Sequence, residues 1–319
     1  MKTMTRCVLV VTLVVLGSCT PGDEPAVEEP IPQGLENGSF TTNLNGFDIH
    51  YEVHGIGPVL MTVPNSWGLS LEGLRNLYRP LEEQLTMVYF DPRGMGESAE
   101  IRDESDMGMA AVRADFQALR GHLGLETVNA IGWSNGAINL ITLAAERPET
   151  IDAAIFLHGA ASFTQEDQAV WAEQYPDMIE ASRAFMQEMQ DPELSDAEKT
   201  AKQRALWLGE WFPRSFADQA AAPAALDRLY GDAEFSWAHA DYSHRENPSF
   251  DFRDQLPLIT ARSLVIAGAH DMMPLSKGEE LALGIDGAQF ALFEESGHYA
   301  PVEEPEAFEG LVSSFLGVN

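Results

Sequence analysis

The most constraining feature of the chain is five residues long. Gly132-Trp133-Ser134-Asn135-Gly136 is a G-x-S-x-G string that follows the apolar run Val128, Ala130, Ile131 and opens a helix-like stretch from Ala137 to Arg147. At a strand-to-helix turn, flanking glycines let the backbone bend sharply beside a strained serine. Its hydroxyl then projects above the carboxyl end of a sheet instead of packing into it. A chain carrying this turn needs a strand feeding a helix at the carboxyl end of a sheet.

A serine hydroxyl is a weak nucleophile near neutrality, so Ser134 as a catalytic group requires a base, and the base requires a carboxylate to hold its tautomer. Asp271 and His298 fill these roles. Asp271 follows the β-branched run Ser263 to Ala267 through Gly268-Ala269-His270. His298 stands in Ser296-Gly297-His298-Tyr299, after the strand candidate Phe290 to Phe293 and before the helix candidate Pro305 to Leu316. Both are loop residues after strands. His270, beside Asp271, fits the base less well because adjacent loop residues point apart.

Several segments carry a resemblance. Asn45 to Tyr51 resembles an opening hairpin, Phe90-Asp91-Pro92-Arg93-Gly94-Met95-Gly96-Glu97-Ser98 matches a D-x-R-G-x-G-x-S loop, and Ser296-Gly297-His298 through Phe308 matches an S-G-H block with a trailing E-x-P-x-x-F. With the order Ser134, Asp271, His298, these make the chain resemble an α/β-hydrolase, closest to the branch of prolyl aminopeptidases and small-ester hydrolases. The resemblance implies an α/β fold: a mainly parallel sheet, helices on both faces and an inserted helical lid. It implies a serine hydrolase cleaving a small carboxylic ester or amide through an acyl-enzyme. Asp91 and Arg93, a charged pair in a glycine-rich loop beside the elbow, read as a structural hydrogen-bond and ion-pair clasp rather than as catalytic groups. Serine rather than aspartate at the elbow argues against dehalogenase and epoxide hydrolase relatives.

One block departs from the pattern. Where members show His-Gly after the third strand, this chain has Val63-Pro64-Asn65-Ser66-Trp67-Gly68. Acyl transfer needs two preorganised N–H donors for the oxyanion. Asn135, after the nucleophile, supplies one; the other is expected from the Ser66 N–H, with Asn65 as the fallback, since Pro64 has no N–H. The same departure leaves open a surface binding protein that keeps the fold without turnover.

Alternation of strand and helix patterns supports the fold independently: Val59 to Val63, Leu71 to Leu85, Met87 to Phe90, Ala110 to Leu123, Val128 to Ile131, the elbow helix and Ile151 to Leu157. The series stops at Gly159 and resumes near Arg262, giving a core over 39–160 and 259–319 and a lid over 161–258. Helix-like stretches run from 177 to 190, 197 to 208 and 217 to 230. Trp171, Trp207, Trp211 and Trp237 fall in this insertion, where aromatics form either a roof over the substrate or the lid's own packing. Trp67, Trp133 and His158 are further candidates to line the pocket, His158 being equally readable as a buried or capped residue.

Prolyl aminopeptidases carry a W-x-x-W-E string in the lid and hold the substrate amine with lid carboxylates. Here the nearest string is Trp207-Leu208-Gly209-Glu210-Trp211, so Glu210 is either an amine-binding group, which makes the chain a proline iminopeptidase-like aminopeptidase, or an exposed helix glutamate. Metal-ligand spacings such as H-E-x-x-H are missing, as are nucleotide-binding glycine loops. Neither a metal nor a cofactor is expected.

The amino-terminal stretch reads as targeting. Lys2 and Arg6 precede the apolar run Val8 to Leu16, and Leu16-Gly17-Ser18-Cys19 resembles a bacterial lipobox. Residues 1–18 are then a removed signal, Cys19 the lipidated residue, and 19–38, rich in Pro, Glu, Asp and Gly, a disordered acidic tether. The two cysteines of the chain are Cys7 and Cys19, so the mature domain has neither thiol nor disulfide. Thr20 after the cysteine implies an exported lipoprotein of the cell envelope, in the outer membrane where one exists. A formal charge of -31 argues against nucleic acid and against direct adsorption to anionic lipid. The expected partners are a small ester, amide or short peptide, with a membrane met only through the anchor.

Overall fold

Asn45 and Gly46 turn the first hairpin, both with positive φ (54° and 85°), as a two-residue turn between right-twisted strands requires. They join β1 (Gly38–Leu44) to β2 (Phe47–Gly55) in antiparallel register, Leu44 opposite Phe47. The computed structural model describes residues 35–318. The signal-like segment 1–18, Cys19 and the tether up to residue 34 lie outside the described residues. Residues 35–318 belong to one compact unit.

The next strands are short, mainly apolar and almost wholly buried runs, as expected of strands covered on both faces: β3 (Val59–Val63), β4 (Thr86–Phe90), β5 (Val128–Trp133), β6 (Ile151–Leu157) and β9 (Arg262–Gly268). With β10 (Gln289–Phe293) they complete an eight-stranded sheet in the order β1-β2-β4-β3-β5-β6-β9-β10, in which β2 alone runs against the rest. Alternate side chains feed two apolar layers. On one face Met61, Val63, Ala130 and Val265 meet α2 (Gly108–His122) and α3 (Asn135–Glu146). On the other, Leu60, Ile131, Leu264 and Ile266 meet α1 (Leu71–Tyr78) and the last helix, Pro305–Leu316. The chain is thus an α/β-hydrolase fold with a mostly parallel sheet, as the motifs imply.

Between β6 and β9 the chain leaves the sheet. A two-residue pair, β7 (Ser162–Phe163) with β8 (Phe250–Asp251), closes the base of the excursion. Inside it run α4 (Gln165–Gln174), α5 (Pro176–Glu188), α6 (Asp196–Leu206), α7 (Ala222–Tyr230) and α8 (Trp237–Glu246). A π-helical turn, Trp207–Trp211, extends α6. The remaining helices are α9 (Leu275–Gly284), α10 (Ala300–Glu303) and α11 (Pro305–Leu316). Among the described residues no helix is long and apolar enough to cross a membrane.

Two readings of the pattern need correction. The helix expected from Leu71 to Leu85 ends at Tyr78 and tightens into a 3₁₀ turn over Arg79–Glu83, because Pro80 cannot donate to the helical ladder and its ring crowds the preceding turn. Helices α4 and α8 carry no clear apolar stripe in sequence. α4 buries none of its residues and is set by a capping box, in which Thr164 and Asp167 accept each other's backbone N–H.

Candidate active site

The elbow is built by close approach. A Cβ on Gly132 would lie 2.3 Å from Gly136 O, and one on Gly136 would lie 2.4 Å from Val63 O, so neither position accepts a larger residue. Ser134 between them has φ 55° and ψ -118°, a strained conformation for a side chain-bearing residue. Its N–H donates to Leu157 O at 2.9 Å, and the His158 N–H donates to Ile266 O at 2.8 Å. These bonds continue the ladder one step past the ends of β5 and β6. Ser134, His158, Asp271 and His298 therefore come together along the carboxyl edge of the sheet.

His298 Nδ1 lies 2.7 Å from Asp271 Oδ2. The other oxygen, Oδ1, accepts the Met273 N–H at 2.9 Å. The backbone around His298 is fixed on every side: its N–H donates to Ser215 O at 2.6 Å and its carbonyl accepts Trp133 Nε1 at 2.9 Å. Glu303 accepts the N–H groups of Gly297 (2.9 Å), Tyr299 (3.3 Å) and Ala217 (2.7 Å), and Glu304 accepts from Ser296 Oγ at 2.6 Å. Burial pushes the Asp271 carboxyl up, but the charge of His298 and the N–H bonds of His158 and His298 outweigh it and hold the group below the ordinary carboxylate range. Asp271 is thus an anion, and its bond to Nδ1 leaves His298 Nε2 as the proton acceptor. Among the described residues Ser134 Oγ makes no hydrogen bond to His298. The two side chains line one cavity, as is common before a substrate is bound.

His158 is not a pocket-lining residue. It is 3% exposed, and its Nδ1 lies 3.1 Å from the same Asp271 oxygen that His298 uses. The ligand atoms of His158, Asp271 and His298 lie within 4.8 Å of one another, the spacing of a metal site. The donors do not suit one: the Ala300 N–H points at His158 Nε2 (3.4 Å), so that nitrogen carries the lone pair and Nδ1 carries the proton. A metal would need the opposite tautomer.

The oxyanion loop differs from the reading of Ser66. The Ser66 N–H donates to Asn135 Oδ1 at 2.7 Å, the Ser66 hydroxyl donates to the same oxygen at 2.9 Å, and the residue is 1% exposed. That amide is engaged and turned away from the cavity. Asn65 does not replace it: the residue is buried and is not part of the cavity wall, its side chain turned to α3, where Oδ1 accepts the Gly136 N–H at 2.7 Å. The next residue, Trp67, lines the cavity, and among the described residues its N–H makes no hydrogen bond. The Asn135 N–H, first in α3, has no intrahelical acceptor.

The cavity has a volume of about 490 Å³ and is roofed by the helices between β6 and β9. Five tryptophans line it, Trp67, Trp133, Trp171, Trp207 and Trp211, with Trp67 and Trp207 edge to face at 5.0 Å. Trp237 does not; it packs on Phe185 inside the insertion. No leucine, isoleucine, valine, lysine, arginine or glutamate is among the lining residues. Glu210 is exposed and away from the cavity. Asp91 accepts from Leu71 N–H (2.8 Å), Glu97 N–H (3.1 Å) and the His50 ring (2.9 Å), while Arg93 pairs with both oxygens of Asp115 at 2.7 and 2.8 Å. Both brace the glycine-rich loop. His270 is exposed beside Asp271.

Sequence reasoning missed three roles. The bond from His158 to Asp271 and the exchange between Asn65 and Asn135 join residues 69 to 113 positions apart and had no signal. The hold of Glu303 on the His298 loop is local, reaching Gly297 and Tyr299, and the run Glu303-Glu304-Pro305 after the S-G-H block was its signal.

Comparison with known proteins agrees with this fold. The putative carbamate hydrolase RutD of Rhizobium rhizogenes is 27% identical over 277 residues, covering 84% of this chain and 97% of that protein. An alpha/beta fold family hydrolase from Bacillus anthracis superposes with a TM-score of 0.71 at 21% identity, covering 88% of this chain and 99% of that one. A proline iminopeptidase from Mycobacterium smegmatis shares the fold with a TM-score of 0.60 at 19% identity, covering 88% and 98%. The family model of the alpha/beta hydrolase fold matches residues 54–305, well over half of the sequence. The chain belongs to the alpha/beta hydrolase fold family and is an enzyme of the hydrolase type.

Proposed function

We propose that this hydrolase cleaves a small, uncharged carboxylic ester or amide through an acyl-enzyme on Ser134. Ser134 Oγ attacks the carbonyl carbon while His298 Nε2 takes the hydroxyl proton, and Asp271 holds Nδ1 and stabilises the imidazolium. The oxyanion is met by the N–H groups of Asn135 and Trp67. His298 then returns the proton to the leaving alcohol or amine. A water molecule attacks the acyl group, its proton passing to His298 and from there to Ser134 as the acid departs.

The observation that carries this reading is the 2.7 Å bond from His298 to Asp271 in a cavity shared with a left-handed Ser134. A relative named as a putative carbamate hydrolase adds support for chemistry at a carbonyl carbon. The lining points to substrate character. Indole faces and methionine thioethers favour flat or polarisable groups. A substrate carboxylate would find no lysine or arginine among the lining side chains.

The aminopeptidase reading is less well supported. It needs a free carboxylate for the substrate amine, whereas Glu210 is exposed away from the cavity and the Asp271 carboxylate is already engaged by two histidines. A panel of p-nitrophenyl acyl esters beside prolyl and alanyl anilides tests the choice. Faster turnover of neutral esters is expected, and preference for the anilides would reverse it. Export as a lipoprotein through Cys19 is part of the same proposal and rests on Lys2, Arg6, the run Val8 to Leu16 and the lipobox-like Leu16-Gly17-Ser18-Cys19.

A further inference from the structure

We propose that His158 is a positioning residue of this site: as a neutral imidazole it donates from Nδ1 to Asp271 Oδ2 and fixes the carboxylate that orients His298. This rests on the triad reading above and extends it by a fourth side chain.

The tautomer follows from geometry. A backbone N–H can only donate, and that of Ala300 is directed at His158 Nε2 at 3.4 Å, so the ring proton is on Nδ1, facing Asp271 at 3.1 Å. A second proton on Nε2 would oppose the Ala300 N–H. The ring is fully buried, and burial lowers its affinity for a proton against the opposing pull of Asp271. His158 is therefore a fixed, uncharged donor.

The backbone makes the same point. His158 follows β6 with φ 51°, a conformation uncommon for a residue with a side chain and kept where the surroundings enforce it. Its N–H bond to Ile266 O at 2.8 Å holds it there. The ring centroid lies 5.1 Å from that of His298, the planes at 43°, so the two imidazoles approach one oxygen from different directions. Asp271 then has a donor on Oδ1, from Met273, and two on Oδ2. Without His158 one lone pair of a buried carboxylate goes unfilled and His298 loses part of its fixed partner.

His158→Gly removes the donor and relieves the backbone, whereas His158→Asn keeps a donor close to the Nδ1 position and tolerates left-handed φ. Turnover is measured per site titrated with a fluorophosphonate, so that unfolded protein does not count, and His158→Ala serves as a second donor-free variant. The Gly and Ala variants are expected to lose roughly 10- to 100-fold in kcat, the range known for groups that orient metal-binding histidines and carboxylates, with KM little changed. The Asn variant should recover most of that loss.

The pH profile is the reading a merely structural role would not move. The titratable groups around Asp271 are His158 and His298, with Tyr175, Tyr299 and Glu303 beyond them. With one neutral donor gone, the Asp271 charge is offset by His298 alone, which favours the imidazolium. The acid limb of kcat/KM should then move to higher pH in the Gly and Ala variants and stay in place in the Asn variant. Equal losses in all three variants, or a wild-type rate and profile in His158→Gly, would overturn the assignment. Ser134→Ala, run in parallel, separates the two levels. If it retains wild-type turnover, the triad reading fails and His158 has nothing to position; if it is inactive while His158→Gly is unimpaired, only the His158 assignment fails.

Discussion

Asn65 and Asn135 hold each other's neighbours: Asn65 Oδ1 accepts the Gly136 N–H and Asn135 Oδ1 accepts the Ser66 N–H, both at 2.7 Å. The exchange ties the loop after β3 to the first turn of α3. These two elements supply the N–H groups of Trp67 and Asn135 that face the developing oxyanion in the proposed mechanism.

Loss of this clasp should affect both stability and rate. Asn65→Ala leaves the buried Gly136 N–H unpaired, a cost of about 1–3 kcal/mol, and frees the loop, for which a loss of roughly 10-fold in kcat is expected. Asn135→Ala should act through the same contact, so the double variant should lose less than the two single losses combined. Urea unfolding and steady-state kinetics on the three variants check this. Strict additivity would mean that the two asparagines work independently.

Asp271 gives a pH dependence of defined sign. Burial opposes its charge, but His298 and the two imidazole N–H bonds prevail and its folded value lies below the unfolded one. The stabilisation is therefore present above the unfolded value, about pH 4, and lost as the pH falls through the folded value. The gap in unfolding free energy between wild type and Asp271→Asn should be widest near neutrality and narrow as the pH falls below about 4. A gap that widens on acidification would contradict the assignment. The same variant should lose about 10⁴-fold in kcat, because an amide favours the wrong tautomer of His298.

The lining of the cavity sets the charge of the substrate. A p-nitrophenyl butyrate and its anionic counterpart, the p-nitrophenyl monoester of glutaric acid, differ by one carboxylate. The neutral ester should have the higher kcat/KM by roughly 100-fold or more, since an unpaired buried charge costs several kcal/mol. Glu210→Gln should leave KM for free-amine and N-blocked anilides equally unaffected. A selective rise for the free amines would restore the aminopeptidase reading.

Cys19→Ser tests the anchor. The expected outcome is release of the protein from membranes with unchanged activity per molecule, the lipid site being remote in sequence from Ser134. Variant protein that still sediments with membranes would refute the lipoprotein proposal.

Much of this architecture is legible before folding because its signals are local. β3, β5 and β6 are largely apolar runs, β3 bounded by Pro58 and Pro64 and the other two by polar residues, and α11 begins and ends where its proline and its glycine place it. Other features depend on tertiary contacts. Helix α4 has no buried face to betray it. Ser66 follows from alignment of the loop with its relatives, but its amide is taken by a side chain 69 residues away. His158 looks like any histidine at the end of a strand until Asp271, 113 residues later, is brought against it. Glu210 shows the converse: a residue in a suggestive string whose side chain belongs to the solvent.

The most direct test of the proposed chemistry is mass-spectrometric mapping of the adduct formed by a fluorophosphonate on the folded protein. One adduct is expected, on Ser134, absent from Ser134→Ala and formed far more slowly by His298→Ala, with esterase activity lost in proportion to labelling. Esterase activity that persists after Ser134 is fully labelled, or an adduct on another residue that tracks the loss of activity, would contradict the assignment of Ser134 as the nucleophile.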